Sequence, residues 1–165
     1  MEEIKIMDKR NRVILCIMLI SVILAMNFNV IKTHYIKQEM ARDIFIKANV
    51  PVSDYMKGID FSKTVKMYYI QKGLVLIQYQ IPGAPQGDFY GWPDSTPDDL
   101  GVSEMGPDNI CKEMRIYVAV KGFHGLLSHA ASVIDNWSTP ENEERSGGDL
   151  QIFTTCKDCF ERHYE

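Results

Sequence analysis

Residues 65–81 read VKMYYIQKGLVLIQYQI. Two runs rich in β-branched and aromatic side chains, 65–70 and 74–81, flank Gln71-Lys72-Gly73, with a glycine where a tight turn calls for positive φ. The pattern predicts a β-hairpin. MRIYVAV at 114–120 and LQIFTT at 150–155 have the same composition and predict a third and a fourth strand. Between the second and third strands, residues 82–112 are dense in Gly, Pro and Asp. Phe89, Tyr90, Trp92, Leu100 and Val102 punctuate that segment, so it is expected to be ordered, as loops of this length usually are when they carry function. No internal repeat is visible. The expected fold class is α+β: a small, mostly antiparallel sheet domain with long irregular loops over 51–165.

The first fifth of the 165-residue chain is different in kind. Residues 13–31, VILCIMLISVILAMNFNVI, carry no charge over 19 positions, and a bilayer core requires roughly 20 in a helix. Ile23 and Met26 stand around Ala25 where a small-x-small cleavage pattern would be needed. An uncleaved transmembrane anchor is therefore expected; a removable signal peptide and a buried core helix are the alternatives. Residues 32–50 keep Tyr35, Ile36, Met40, Ile44 and Phe45 at mostly helical spacing and predict a stalk that Pro51 ends. The tight Lys9-Arg10-Arg12 cluster favours a cytoplasmic N-terminus over 1–12, against the looser Lys32, Lys37, Arg42 and Lys47. That orientation places the domain in the periplasm or outside a bacterial inner membrane.

From Gln38 onward, 12 Lys and Arg face 19 Asp and Glu, a balance of −7. Such a surface repels phosphate backbones, so nucleic acid is not an expected partner. Outside the apolar run lie Cys111, Cys156 and Cys159. In an oxidising compartment they predict one disulfide whose pairing the sequence leaves open. Cys156, Cys159 and His163 also have a C-x2-C-x3-H spacing that Cys111 could complete as a zinc site, the weaker alternative.

Three stretches fall in a telling order: PQGDFYGWPDSTPDDLGVS (85–103), RIYVAV (115–120), and LLSHAASVIDNWS through GGDLQIF (126–153). Together they resemble the C-terminal domains of bacterial polymorphic toxins, namely toxin type 46 and the tuberculosis-necrotizing-toxin type of NAD glycohydrolase. In those a "G-x-F/Y … TP-x-x-L" loop precedes a "Y-x-V" strand and a "GG-x-x-Q" approach to the last strand. The resemblance implies an NAD glycohydrolase with NAD as substrate and no bound cofactor, and a protein partner such as a cognate toxin or immunity protein; the membrane is the partner that the apolar run at 13–31 adds, although domains of this family usually end much larger delivery proteins. The alternative is a non-enzymatic anchored binding factor.

By the same resemblance Gln151 matches the family's functional glutamine. Its amide would serve a ribose hydroxyl or the nicotinamide carboxamide. Gly147 and Gly148 would turn successive N–H groups onto a phosphate, because no Cβ stands in the way. The family sets an arginine beside its glycine-rich loop, whereas this chain has none between Arg42 and Arg115. Arg145, next to the glycines, and Arg115, opening the third strand, are the candidates to replace it, with Trp137 stacking on a flat ring. No metal is expected at the site.

Overall fold

A computed structural model of the protein describes residues 9–135 and 143–163. The chain divides into two compact units, Met1–Ile36 and Lys37–Glu165. Helix α1 (Lys9–Lys47) runs through the boundary without a break. Over residues 13–31 it carries no charge on any face, which is how a helix reads when lipid or protein is to cover every face. A window of 18 residues has mean hydropathy 2.5 with none of it buried, so by length and composition this helix is able to cross a membrane.

The second unit begins with the last turns of α1, where Ala41 and Phe45 are fully buried. Asn49, at φ 56°, ends the helix in the left-handed conformation and Pro51 opens the short α2 (Val52–Lys57). Phe45 meets Phe153 edge to face at 4.8 Å and Tyr55 at 5.6 Å. With Ile59, Phe61, Val65 and Leu126 these side chains form one apolar core.

The sheet has strands β1 (Lys66–Ile70), β2 (Val75–Gln80), β3 (Phe89–Gly91), β4 (Glu113–Ala119), β5 (Phe123–His129), β8 (Leu150–Phe153) and β9 (Phe160–His163) in the order β1-β5-β8-β3-β2-β4-β9. A separate ribbon pairs β6 (Val133–Asp135) with β7 (Glu143–Arg145). All pairings among the described residues are antiparallel, as the composition led us to expect.

The predicted hairpin is not formed. Both strands and the turn exist, with Gly73 at φ 88° and Leu74 N–H donating to Gln71 O, but β1 pairs with β5 and β2 pairs with β4 and β3. The first and fifth strands of the sheet are thus joined by residues 71–74 alone. In a flat sheet they would stand about 19 Å apart, at ~4.8 Å per strand. Five Cα steps reach only about 17 Å fully extended, and this link contains a turn. The sheet therefore has to curl, and in doing so it wraps Ile70, Leu76, Tyr90, Tyr117, Ala119, Leu127 and Ile152 into a second core on its inner side. Alternation assigns the faces: Leu126 and Phe153 go to the helix-covered core, and their neighbours Leu127 and Ile152 to the inner one.

Phe45 holds the end of α1 on the sheet, so Phe45→Ala is expected to lower unfolding stability by about 3–5 kcal/mol. Ile46→Ala, at a position 59% exposed, is expected to change it by about 0.5 kcal/mol or less. Denaturant unfolding of the two variants checks this.

Candidate functional site

Strands β2 and β3 are in register at a single pair, Ile77 with Gly91. Beyond it they part, and the amide of Gln78 replaces the missing ladder: Nε2 donates to Phe89 O at 2.7 Å and Oε1 accepts from Gly87 N–H at 3.2 Å. Gln78 is 2% exposed, so this amide has left water and must be paired at both ends. The split opens a cleft of about 280 Å³.

Gln151 lies at the floor of the cleft. It sits on β8 opposite Gly91, is 5% exposed, and donates Nε2–H to Gly58 O at 2.6 Å. That bond fixes the amide's orientation and leaves Oε1 without a partner among the described residues. Leu100, carried by the 3₁₀ turn Asp98–Leu100, lies over Gly91, where a Cβ would collide with both of its methyls. The amide of Gln80 lines the cleft near Gly87, where a Cβ would stand 2.7 Å from its Nε2. Three glutamine amides, the Asp88 carboxylate and an apolar roof thus line the slot.

The wall at Gly87 and Asp88 is tied to its surroundings. Tyr55 Oη donates to Asp88 Oδ2 at 2.5 Å and Lys157 Nζ to Oδ1 at 2.5 Å. Burial, and then the hydrogen bond and charge of Asp88, push the Tyr55 hydroxyl from its ordinary 10.0 up to about 12, so it remains a donor at neutral pH. Because the folded value is the higher one, the stability tied to this proton is present below pH 10 and declines as pH rises toward 12. Burial also raises the Tyr90 hydroxyl, which accepts from Gln86 Nε2 at 2.7 Å.

The residues singled out from the sequence fall in several places. Gly147 and Gly148 have φ 60° and 112°, but their N–H groups donate to Asp98 O (3.0 Å) and Ala130 O (2.9 Å) and so do not converge on an open anion site. Their role is close approach: a Cβ on Gly147 would strike the Ala131 carbonyl. Through Gly147 the approach to β8 is bonded to the turn that carries Leu100, so floor and roof of the cleft are held together.

Arg145 lies on β7 with Nη1 3.9 Å from Asp98 Oδ1, beside a separate depression that also involves Glu104, Met105 and Glu144. It does not line the Gln151 cleft. The expectation for Arg115 is corrected: it is 3% exposed, and its guanidinium bonds Glu113 Oε1 (2.7 Å), Ala84 O (2.6 Å) and Ile81 O (2.7 Å). It clasps the turn after β2, with Nε, Nη1 and Nη2 each engaged and the side chain buried, and is not presented at the surface as a phosphate ligand would be. Trp137 lies outside the described residues. Cys156 and Cys159 form the disulfide, with Cα atoms 5.3 Å apart, and Cys111 is an exposed free thiol. Two of the three sulfurs that the zinc alternative needs are spent in that bond.

Residues 27–160 match the family described as bacterial toxin 46. The chain is a member of the bacterial toxin 46 family. It is 32% identical over 133 residues to the NAD(P)(+) glycohydrolase toxin Tse6 of Pseudomonas aeruginosa, an alignment covering 74% of this chain and 31% of the relative. This chain therefore spans about a third of the length of that curated relative. The solved structure of Tse6 in complex with Tsi6 superposes with a TM-score of 0.68 at 30% identity, covering 81% of this chain and 98% of that one.

In this toxin 46 domain the sequence singles out Gln151 among the cleft residues and does not single out Gln78, Gln80, Asp88 and Leu100, nor Lys157, which bonds the cleft wall from outside the lining. A signal existed for the first two. In LVLIQYQI they are amides at alternate positions of an otherwise apolar strand, hence on one face. If Arg115 is a clasp, Arg115→Met leaves the Ile81 and Ala84 carbonyls unmatched and is expected to cost about 2–4 kcal/mol in denaturant unfolding. A surface phosphate ligand would instead leave stability within about 0.5 kcal/mol.

Proposed function

We propose that this toxin domain is an NAD(P)+ glycohydrolase that works in the cleft between β2 and β3, with Gln151 at the reacting ribose. The observation that carries this reading is Gln151 itself: a buried, oriented amide with an uncommitted Oε1 at the floor of the cleft. The relationship to a glycohydrolase toxin supports it.

The chemistry suits a slot of amides whose one carboxylate, Asp88, is held by Tyr55 and Lys157. Cleavage breaks the C–N bond between ribose and nicotinamide, and the bonding pair goes to the ring nitrogen. The ring is already cationic, so it leaves as neutral nicotinamide and requires no general acid. Water then adds to the ribosyl cation and loses a proton, which gives ADP-ribose. Positive charge develops on the sugar, where a fixed carbonyl dipole such as Gln151 Oε1 stabilises the transition state more than the ground state. Leu100 and the packed strands keep bulk water away from that dipole. Because the domain is acidic, an individually placed cation must meet the diphosphate. Arg145, across the Asp98–Leu100 turn, is the candidate, and the paired glycines act by holding Gln151 in place.

Residues 13–31 would anchor the chain in a bacterial inner membrane with the domain outside the cytoplasm. That placement keeps a glycohydrolase from the producer's own dinucleotides. Because the Tse6 structure is a complex with Tsi6, a cognate immunity protein is the expected protein partner.

Full-length protein is expected to release nicotinamide from NAD+ or NADP+, and Gln151→Ala to lower kcat roughly 100-fold while the unfolding midpoint changes little. Equal turnover by wild type and variant would remove Gln151 from the reaction. For the anchor, the protein is expected to stay in the membrane fraction after a carbonate wash, and a reporter fused after Glu165 to be active only outside the cytoplasm. A soluble, shortened chain would contradict it.

A further inference from the structure

The cleft wall at Gly87–Phe89 is held by contacts from four segments. The amide of Gln78 bonds Gly87 N–H and Phe89 O, Thr154 N–H donates to Asp88 O at 2.9 Å, and Tyr55 donates to Asp88 Oδ2. The fourth is Lys157, whose Nζ bonds both Asp88 Oδ1 and Gly87 O and lies 5.7 Å from the centre of the Tyr90 ring. Lys157 is the residue just inside the Cys156–Cys159 disulfide.

The two ends of that small loop are anchored unequally. Cys159 is buried; its carbonyl accepts from Val120 N–H, and the next residue, Phe160, stacks on Tyr90 at 4.5 Å. On the other side, the N–H groups of Cys156 and Lys157 donate to Thr154 Oγ1 and Thr155 O, and their carbonyls accept from the N–H groups of Cys159 and Phe160 across the 3₁₀ turn Lys157–Cys159. The disulfide adds a covalent closure to a turn that is otherwise tied to the anchored side by two backbone hydrogen bonds. It thereby sets where the lysine's long side chain starts.

We propose that Lys157 is a positioning residue for the cleft and that the Cys156–Cys159 disulfide sets its position, so that the wall is competent for the dinucleotide when the disulfide is closed. The proposal rests on the glycohydrolase reading above. Two effects act together. Lys157 fixes the Gly87 carbonyl and the Asp88 carboxylate in place, and it balances a negative charge on the wall of a cleft meant for an anionic substrate. Without it the wall samples other arrangements, and apparent affinity falls in proportion to the fraction that remains competent. Reduction by a dithiol is the balanced step: the dithiol gives two electrons and two protons, the Cys156–Cys159 S–S bond breaks to two thiols, and the dithiol closes to its own disulfide.

The test uses the full chain, oxidised and after dithiothreitol, and measures NAD+ turnover together with amide hydrogen exchange over residues 87–89. Lys157→Met is expected to raise KM about tenfold with kcat within about twofold, and Lys157→Arg to restore most of the loss. Reduction of the wild type, or Cys156→Ser with Cys159→Ser, is expected to raise KM in the same direction and to add little to Lys157→Met, because both act through one wall. Exchange over 87–89 should speed up in each case. Unchanged KM and exchange in Lys157→Met overturns the role of the lysine; a reduction effect of equal size in wild type and Lys157→Met overturns the link to the disulfide. Should the wild type leave NAD+ intact, the glycohydrolase reading fails, while the exchange measurement still decides whether Lys157 and the disulfide hold the wall.

Discussion

A link of four residues, 71–74, joins the first and fifth strands of the sheet, and the rest of the domain follows from that length. The link cannot span a flat sheet, so the sheet bends until Ile70 and Leu76 share one core. Bending a sheet strains its ladder, and here the ladder gives way between β2 and β3, which keep one residue pair. The gap is not left empty of hydrogen bonds. The buried Gln78 amide spans it, and the opening beside that amide is the cleft.

A site placed at such a split inherits its rigidity from both strands and its access from the gap. Its floor, Gln151, is fixed by a bond to Gly58 O, and its roof, Leu100, by the close seat that Gly91 allows. Gly147 joins the two, since its N–H holds the carbonyl of Asp98 at the start of the Leu100 turn. Such a site can do little proton chemistry with amides alone. Breaking a bond to a cationic leaving group requires no general acid, so a slot of amides whose one carboxylate is held by Tyr55 and Lys157 agrees with a glycohydrolase reading.

Strand composition was legible in the sequence, and strand partnership was not. The runs at 65–70, 74–81, 114–120 and 150–155 all contain strands, because β-branched and aromatic side chains mark a half-buried pleat wherever it pairs. Nothing local says which strand lies alongside, so a tight turn with Gly73 read as a hairpin although the curl of the sheet separates its arms. β5, FHGLLSH, escaped notice because a glycine and two histidines dilute its pattern; a Cβ on Gly125 would stand 2.7 Å from Ile152 Cγ2. Gln151 was singled out through the family resemblance, whose GG-x-x-Q approach to the last strand it matches, and not through composition. Arg115 was misread, since a guanidinium that clasps backbone carbonyls and one that binds phosphate are the same residue in a sequence. Lys157 was passed over for the opposite reason: it looked like a surface charge between two cysteines.

The central claim is that the ligand sits in the cleft between β2 and β3 against Gln151. A crystal structure of the full-length Gln151→Ala variant soaked with NAD+, beside wild type soaked with an unreactive analogue of the dinucleotide, tests it most directly. The account predicts the nicotinamide ribose of the analogue within hydrogen-bond distance of Gln151 Oε1, beneath Leu100. A dinucleotide bound instead in the depression beside Arg145 and Glu104, with the cleft filled only by water, would contradict it.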